Sequence, residues 1–141
     1  MTLRTATQDD IAWAAGRIGI SAFRNDARGI ARVNRDGSLA AVVVFDTFSS
    51  CDCNMHIASD GTRRWLTREL LTEAFAYPFI QLGLRRVTGV VPKKNTAALD
   101  FDRQLGFEVE GVCREAMPDD DVVILGLLRR NCLLIPPDRR L

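Results

Sequence analysis

Apolar residues recur along this chain in two rhythms, one near 3.6 residues and one near two, and together they sort it into helices and strands. Thr2 to Ala6 suits a first strand. Thr7-Gln8-Asp9-Asp10 then offers a capped, acidic start for a short helix through Ile11, Ala14 and Ala15, which Gly16 should weaken. Ile20 to Phe23 adds a further helical turn or two. Gly29 to Arg35 and Ser38 to Phe48 read as a hairpin turned by Asp36-Gly37, and the nearly continuous apolar run Leu39 to Phe45 suits a strand buried on both faces.

After a polar turn at Asp46 to Ser50, Cys51 to Ala58 forms the next strand. Ser59 to Trp65 leads into a helix with Leu66, Leu70, Leu71, Ala74 and Phe75 inward. Pro78 should kink or end it near Ala76-Tyr77, leaving Phe79 to Leu82 as a last turn before Gly83. Val87 to Val91 is a β-branched strand that Pro92 breaks. Asn95 caps a helix with Ala98, Phe101 and Leu105 along one stripe, and Gly106 stops it. Val109 to Ala116, a turn at Met117-Pro118-Asp119-Asp120 and a strand from Val122 to Leu128 complete the pattern. A strand followed by a polar break, a short helix and a Gly-Phe entry into another strand places freed backbone groups at a strand's carboxyl end, a general α/β ligand geometry.

Composition narrows the function classes. The 141 residues suit one domain, residues 1–135, with a loose tail at 136–141. A net charge of +1 gives no global argument for nucleic acid or an anionic membrane. The basic residues are 17 Arg and 2 Lys, a bias that coding preference explains more simply than phosphate recognition. No apolar run reaches the ~20 residues of a membrane span and no signal-peptide pattern opens the chain, so a cytoplasmic protein is expected. Cys51, Cys53, Cys113 and Cys132 lack the density of a secreted disulfide scaffold. On a strand, Cys51 and Cys53 share a face that His56 does not, which argues against a metal.

The stretch from Asn95 to Phe107 carries an Asn-x-x-Ala, seven-residue gap, Gly-Phe pattern: Asn95, Ala98, Gly106 and Phe107. With Glu110-Gly111-Val112-Cys113-Arg114 behind it, the chain from about Ala27 to Arg129 resembles the GNAT acetyltransferase superfamily. The resemblance is closest to the branch of ribosomal-protein acetyltransferases and small phage-encoded relatives. It implies an α/β fold with a mixed central sheet flanked by helices, its first part antiparallel. The strands at Cys51 to Ala58 and Arg86 to Val91 would be parallel neighbours, splayed so that a pantetheine arm pairs with His56, Ile57 and Ala58.

It also implies an acyl-coenzyme A dependent N-acyltransferase that uses acetyl-CoA as donor, with no metal and an amine acceptor, and it leaves a homodimer open. The coenzyme's pyrophosphate is expected at Gly61, Thr62, Arg63, Arg64 and Trp65, at a helix N-terminus. Asn95 would bond the pantetheine, and Phe101 would pack on the coenzyme tail or simply in the core. The chain departs from the pattern twice. The family's glycine-rich loop is missing, since its small-residue positions fall near Arg63, Trp65 and Thr67, and the tyrosine that many relatives place seven residues after the Asn is Asp102.

An ionised Asp102 cannot protonate a leaving thiolate, so solvent protonation, an amine-orienting Asp102 and the absence of catalysis all stay open. His56, the only histidine, could relay an amine proton or be structural. Beside the acyltransferase stand a non-catalytic coenzyme-binding module and, more remotely, a phage-type nucleobase-modifying relative of the Mom group, against which the near-neutral charge argues.

Overall fold

A computed structural model describes residues 2–141. Its strands and helices run β1 Thr2–Thr5, α1 Gln8–Ile18, β2 Arg28–Val33, β3 Leu39–Asp46, β4 Asn54–Ser59, α2 Arg68–Ala76, β5 Arg86–Pro92, α3 Thr96–Leu105, β6 Glu108–Met117 and β7 Asp120–Leu128. Hydrogen-bonded strand neighbours follow the order β1-β2-β3-β4-β5-β7-β6, a mixed sheet of seven. The chain packs as two compact units. One comprises the chain up to Phe48 with Met55–Ala74, the other Ser49–Asn54 with Phe75–Leu141.

In the first unit β1, β2 and β3 are antiparallel neighbours, Thr5 opposite Ile30 and Arg28 opposite Phe45. The continuous apolar run of β3 is buried from Ala40 to Phe45, because its alternate side chains face two packed layers. On one face Ile11 and Ala14 of α1 meet Ala31, Val42, Val44 and Ala58. Helix α1 begins at a capping box, in which the Thr7 hydroxyl accepts the Asp10 N–H at 3.1 Å and the Asp10 carboxylate accepts the Thr7 N–H at 2.8 Å. Gly16 does not shorten this helix, which runs on to a left-handed Gly19 with φ 91°. No helix forms between Ile20 and Phe23. Gly29 is required by space: a Cβ there would stand 2.8 Å from the Val43 carbonyl oxygen across the ladder.

In the second unit β5 and β7 pair without interruption from Arg86↔Leu128 to Pro92↔Val122, and β6 closes the edge with two register shifts. Asn54, the first residue of β4, lies parallel to Thr88 of β5 in a ladder of one bridge. The Thr88 N–H donates to the Cys53 carbonyl at 2.9 Å. Helix α3 packs on β5. The Phe75 ring lies 6.3 Å from Phe79 and 6.2 Å from Phe107.

Two strand and helix starts differ from expectation, each for a local reason. Cys51 and Cys53 precede β4 instead of beginning it, because the Ser49 hydroxyl takes the Cys51 and Asp52 N–H groups into a side-chain-closed turn. Helix α2 opens only at Arg68, where the Thr67 hydroxyl accepts the Leu70 N–H at 3.2 Å. Helix α2 ends at Ala76, where Pro78 was expected to stop it, and a π turn follows it. Lacking an N–H, Pro78 widens the path into this turn over Tyr77–Gln81, closed by Leu82 N–H donating to the Tyr77 carbonyl at 3.0 Å. Residues 136–141 include a 3₁₀ turn at Pro137–Arg139, and Arg140 Nη2 donates to the Ile135 carbonyl at 3.0 Å.

Candidate functional site

His56 is the third residue of β4, and its neighbour strand β3 ends in Asp46. That aspartate is 4% exposed. His56 Nε2 and Asp46 Oδ1 are 3.0 Å apart, the other Asp46 oxygen accepts the Arg24 N–H at 3.3 Å, and the Phe23 ring lies 5.0 Å from the imidazole, tilted by 50°. Burial alone would raise the Asp46 carboxyl, but the hydrogen bond and charge of His56 and the Arg24 N–H outweigh it and hold the group below its ordinary value. The pairing escaped sequence reading because the turn between the strands hides which residues face each other. The available signal was a carboxylate closing an otherwise apolar strand, a residue that seldom goes under without a partner.

Ile57 is half-buried on β4, and Ala58 points into the core of the first unit. The loop from Asp60 to Thr67 follows. Gly61 adopts φ 92°, with Arg17 Nη2 3.6 Å from where a Cβ would lie, and Arg17 Nε donates to the Ser59 carbonyl at 2.9 Å. Thr62 donates its N–H and hydroxyl to Asp60 Oδ1 at 2.9 and 2.7 Å. Arg63 and Arg64 are exposed, and Trp65 is half-buried.

Arg63 and Arg64, expected at a helix N-terminus, lie in the loop before it, because the cap at Thr67 opens α2 only at Arg68. Arg64 also has carboxylates within electrostatic reach. Hydrogen bonds from Thr62 hold Asp60 low and those from Ser38 hold Asp36 low, with the Arg64 charge adding to both.

In the second unit Asn95 caps α3 as its position implies, its Oδ1 accepting the Ala98 N–H at 3.2 Å. No partner is recorded for its amide nitrogen among the described residues. Phe101 is half-buried, on the α3 stripe with Ala98 and Leu105. Asp102 is half-buried against β5, where a Cβ on Gly89 would come within 3.3 Å of its Oδ2. Among the described residues its carboxyl has no hydrogen bond or ion pair, and desolvation pushes it up to about 6.

The same unit holds a polar network on β5 that sequence reading did not find. Arg86 forks onto Glu110 at 2.9 and 3.1 Å and reaches the Thr88 hydroxyl at 3.0 and 3.1 Å, while that hydroxyl donates to Asp52. Gly126 leaves the space for it, since a Cβ there would meet Arg86 Nη2 at 2.7 Å. Its members are mutually satisfied, so it reads as a device that ties β5 and β6 to the turn at Asp52. Among the described residues no group of three or more His, Cys, Asp or Glu could hold a metal ion, and no helix is long and apolar enough to cross a membrane.

No protein-family model matches the chain, and no curated protein matches it in sequence. Solved structures do. A mutant of the spermidine N-acetyltransferase SpeG from Vibrio cholerae superposes with a TM-score of 0.79 over 94% of this chain and 98% of its own, at 18% identity. The chain has the GNAT fold. The same spermidine/spermine N-acetyltransferase solved with manganese ions matches with a TM-score of 0.75 over 92% of each chain, again at 18% identity. The mixed seven-stranded sheet with β4 and β5 parallel is therefore the GNAT sheet that the Asn95 to Phe107 pattern implied.

Proposed function

We propose that the chain is an acyl-coenzyme A dependent N-acyltransferase that moves an acetyl group from acetyl-CoA to an amine of a small molecule or protein. The observation that carries this reading is the GNAT fold kept across 94% of the chain, with the only histidine presented on β4. His56 is the base that takes the amine's proton. In the first unit the backbone of Ile57 and Ala58 is what pairs with the pantetheine; in the second, the Asn95 amide is the candidate donor to the coenzyme. The pyrophosphate lies at Gly61 to Trp65, where Arg63 and Arg64 replace the amide contacts of a glycine loop with charge-assisted bonds.

In this reading the leaving thiolate takes its proton from solvent; Asp102, whose carboxyl burial pushes up to about 6, is the competing donor, and the rate of an Asp102→Asn variant decides between them. Spermidine, the acceptor in the names of the similar structures, is a reasonable first substrate to try and nothing more at 18% identity.

Calorimetry with acetyl-CoA, followed by thiol-release assays across polyamines, amino acids and peptide N-termini, tests the proposal. Saturable binding with acceptor-dependent thiol release is expected. Binding without release would favour the non-catalytic coenzyme-binding module, a reading that the crowded loop with Arg63, Trp65 and Thr67 supports. No binding would remove both.

A further inference from the structure

We infer that Asp46 is a positioning residue for His56: its carboxylate accepts the Nε2 proton, fixes that tautomer, and leaves Nδ1 as the atom that receives the amine's proton. The argument rests on the proposed acyl transfer for its catalytic meaning and on the geometry of the first unit for its substance. A carboxylate offers no hydrogen, so a ring nitrogen 3.0 Å from it must carry one. Asp46 cannot swing away. It is 4% exposed, and the Arg24 N–H anchors its second oxygen at 3.3 Å. The Phe23 ring, 5.0 Å from the imidazole, limits the flip that would exchange the two nitrogens. The polar groups at the pair are the Asp46 carboxylate at the end of β3, the Arg24 backbone N–H from the segment that carries Phe23, and the Thr47 side chain, which also hydrogen-bonds Asp46.

The consequence for the reaction follows atom by atom. The amine nitrogen bonds to the thioester carbonyl carbon, and its proton passes to Nδ1. The C–S bond breaks with its electron pair on sulfur, and the thiolate takes a proton from solvent. Positive charge therefore appears on the imidazole only as the reaction proceeds, with a fixed carboxylate already beside it. An interaction that strengthens along the reaction coordinate raises kcat and leaves substrate binding alone.

Because His56 is the chain's only histidine, long-range 1H–15N correlations report on a single ring. In the wild-type protein above pH 8 the expected pattern is a protonated Nε2 and a pyridine-like Nδ1. In Asp46→Asn the amide can present either oxygen or nitrogen to the ring, so a mixture of tautomers should appear. The kcat should then fall about 10²-fold, the scale of a mispositioned acid–base group, with both KM values unchanged.

A wild-type ring protonated at Nδ1 would overturn the inference, as would an Asp46→Asn variant with the wild-type tautomer and the wild-type kcat. If the variant unfolds, the wild-type spectrum alone decides. The two levels separate cleanly. An Nε2-protonated ring in a protein that never releases thiol supports Asp46's hold on the ring and removes the acyltransferase reading. Turnover with an Nδ1-protonated ring does the reverse.

Discussion

Two aspartates withdrawn from solvent divide the molecule. Asp46, in the first unit, has a ring nitrogen on one oxygen and a backbone N–H on the other, and its carboxyl stays below its ordinary value. Asp102, in the second, has neither among the described residues, and burial pushes it up to about 6. Burial costs both of them solvation; only partners decide which remains an anion. The difference separates a group built to hold charge from one that the fold tolerates at a cost, and each half of the comparison can be broken by experiment.

The largest effect belongs to Asp46. Asp46→Ala leaves the Arg24 N–H and the imidazole without their acceptor, which should destabilise the protein by about 2–4 kcal/mol in urea titrations at pH 7. A loss within error of zero would mean that solvent replaces the carboxylate and that the pair has little hold on its surroundings. The pH dependence gives the sign. A lowered carboxyl contributes stability above its unfolded-state pKa that disappears as pH falls through the folded value, so the gap between variant and wild type should narrow below about pH 4.

Asp102 should behave oppositely. Its folded value of about 6 exceeds the ordinary 3.8, so the folded state holds the proton more tightly and loses stability as pH rises from near 4 to near 6. Asp102→Asn removes the ionisable group while keeping its shape. It should stabilise the protein by about 1–3 kcal/mol at pH 8, a range that discounts for partial exposure, and by almost nothing at pH 4. Equal gains at both pH values would show that the carboxyl is solvated after all. Thiol-release rates of the same variant should stay within about threefold of wild type if solvent protonates the thiolate, whereas a general acid would cost about 10²-fold.

The comparison also explains what could be read ahead of the structure. Helix α3 was legible from Asn95 to Gly106 because a capping side chain and a left-handed stop act within a turn of their own positions. The buried β3 was legible from its unbroken apolar run. The start of α2 was not, since Ser59, Asp60, Thr62 and Thr67 are all able caps and only packing chose the last. Neither was the Asp46–His56 pair, which depends on the register of two strands across a turn of seven residues that itself departs from regular geometry. The candidate site shows the same division: Asn95 follows from local chemistry, whereas the state of Asp102 needed the desolvation that only its packing against β5 supplies.

A smaller effect is expected in the loop before α2. Arg63→Ala with Arg64→Ala should weaken acetyl-CoA binding about tenfold and flatten its salt dependence, measured by calorimetry between 50 and 300 mM salt, values chosen on the order of those that screen exposed charges. Arg64 already has Asp36 and Asp60 within electrostatic reach, so the phosphate must compete with fixed carboxylates. An unchanged affinity would leave those carboxylates as the arginines' sole purpose.

Asn95 combines the two halves of the comparison in one side chain. Its carbonyl oxygen is satisfied by the Ala98 N–H at 3.2 Å, as Asp46 is satisfied, while its amide nitrogen has no recorded partner among the described residues, as Asp102 has none. Exposure makes the second condition inexpensive, because water reaches Asn95 freely. Asn95→Asp keeps an oxygen for the cap and adds a negative charge that the helix N-terminus welcomes, so stability should change by less than about 0.5 kcal/mol. What the variant loses is two N–H donors. If those donors bond a carbonyl of the pantetheine, the affinity for acetyl-CoA should fall about tenfold, the size of one lost hydrogen bond to a ligand, and the KM for acetyl-CoA should rise with little change in kcat. Asn95→Ala is the control: it should lose both the cap, at about 1 kcal/mol, and the affinity. An aspartate variant that binds the coenzyme as wild type does would reduce Asn95 to the helix cap alone and move the pantetheine contact elsewhere.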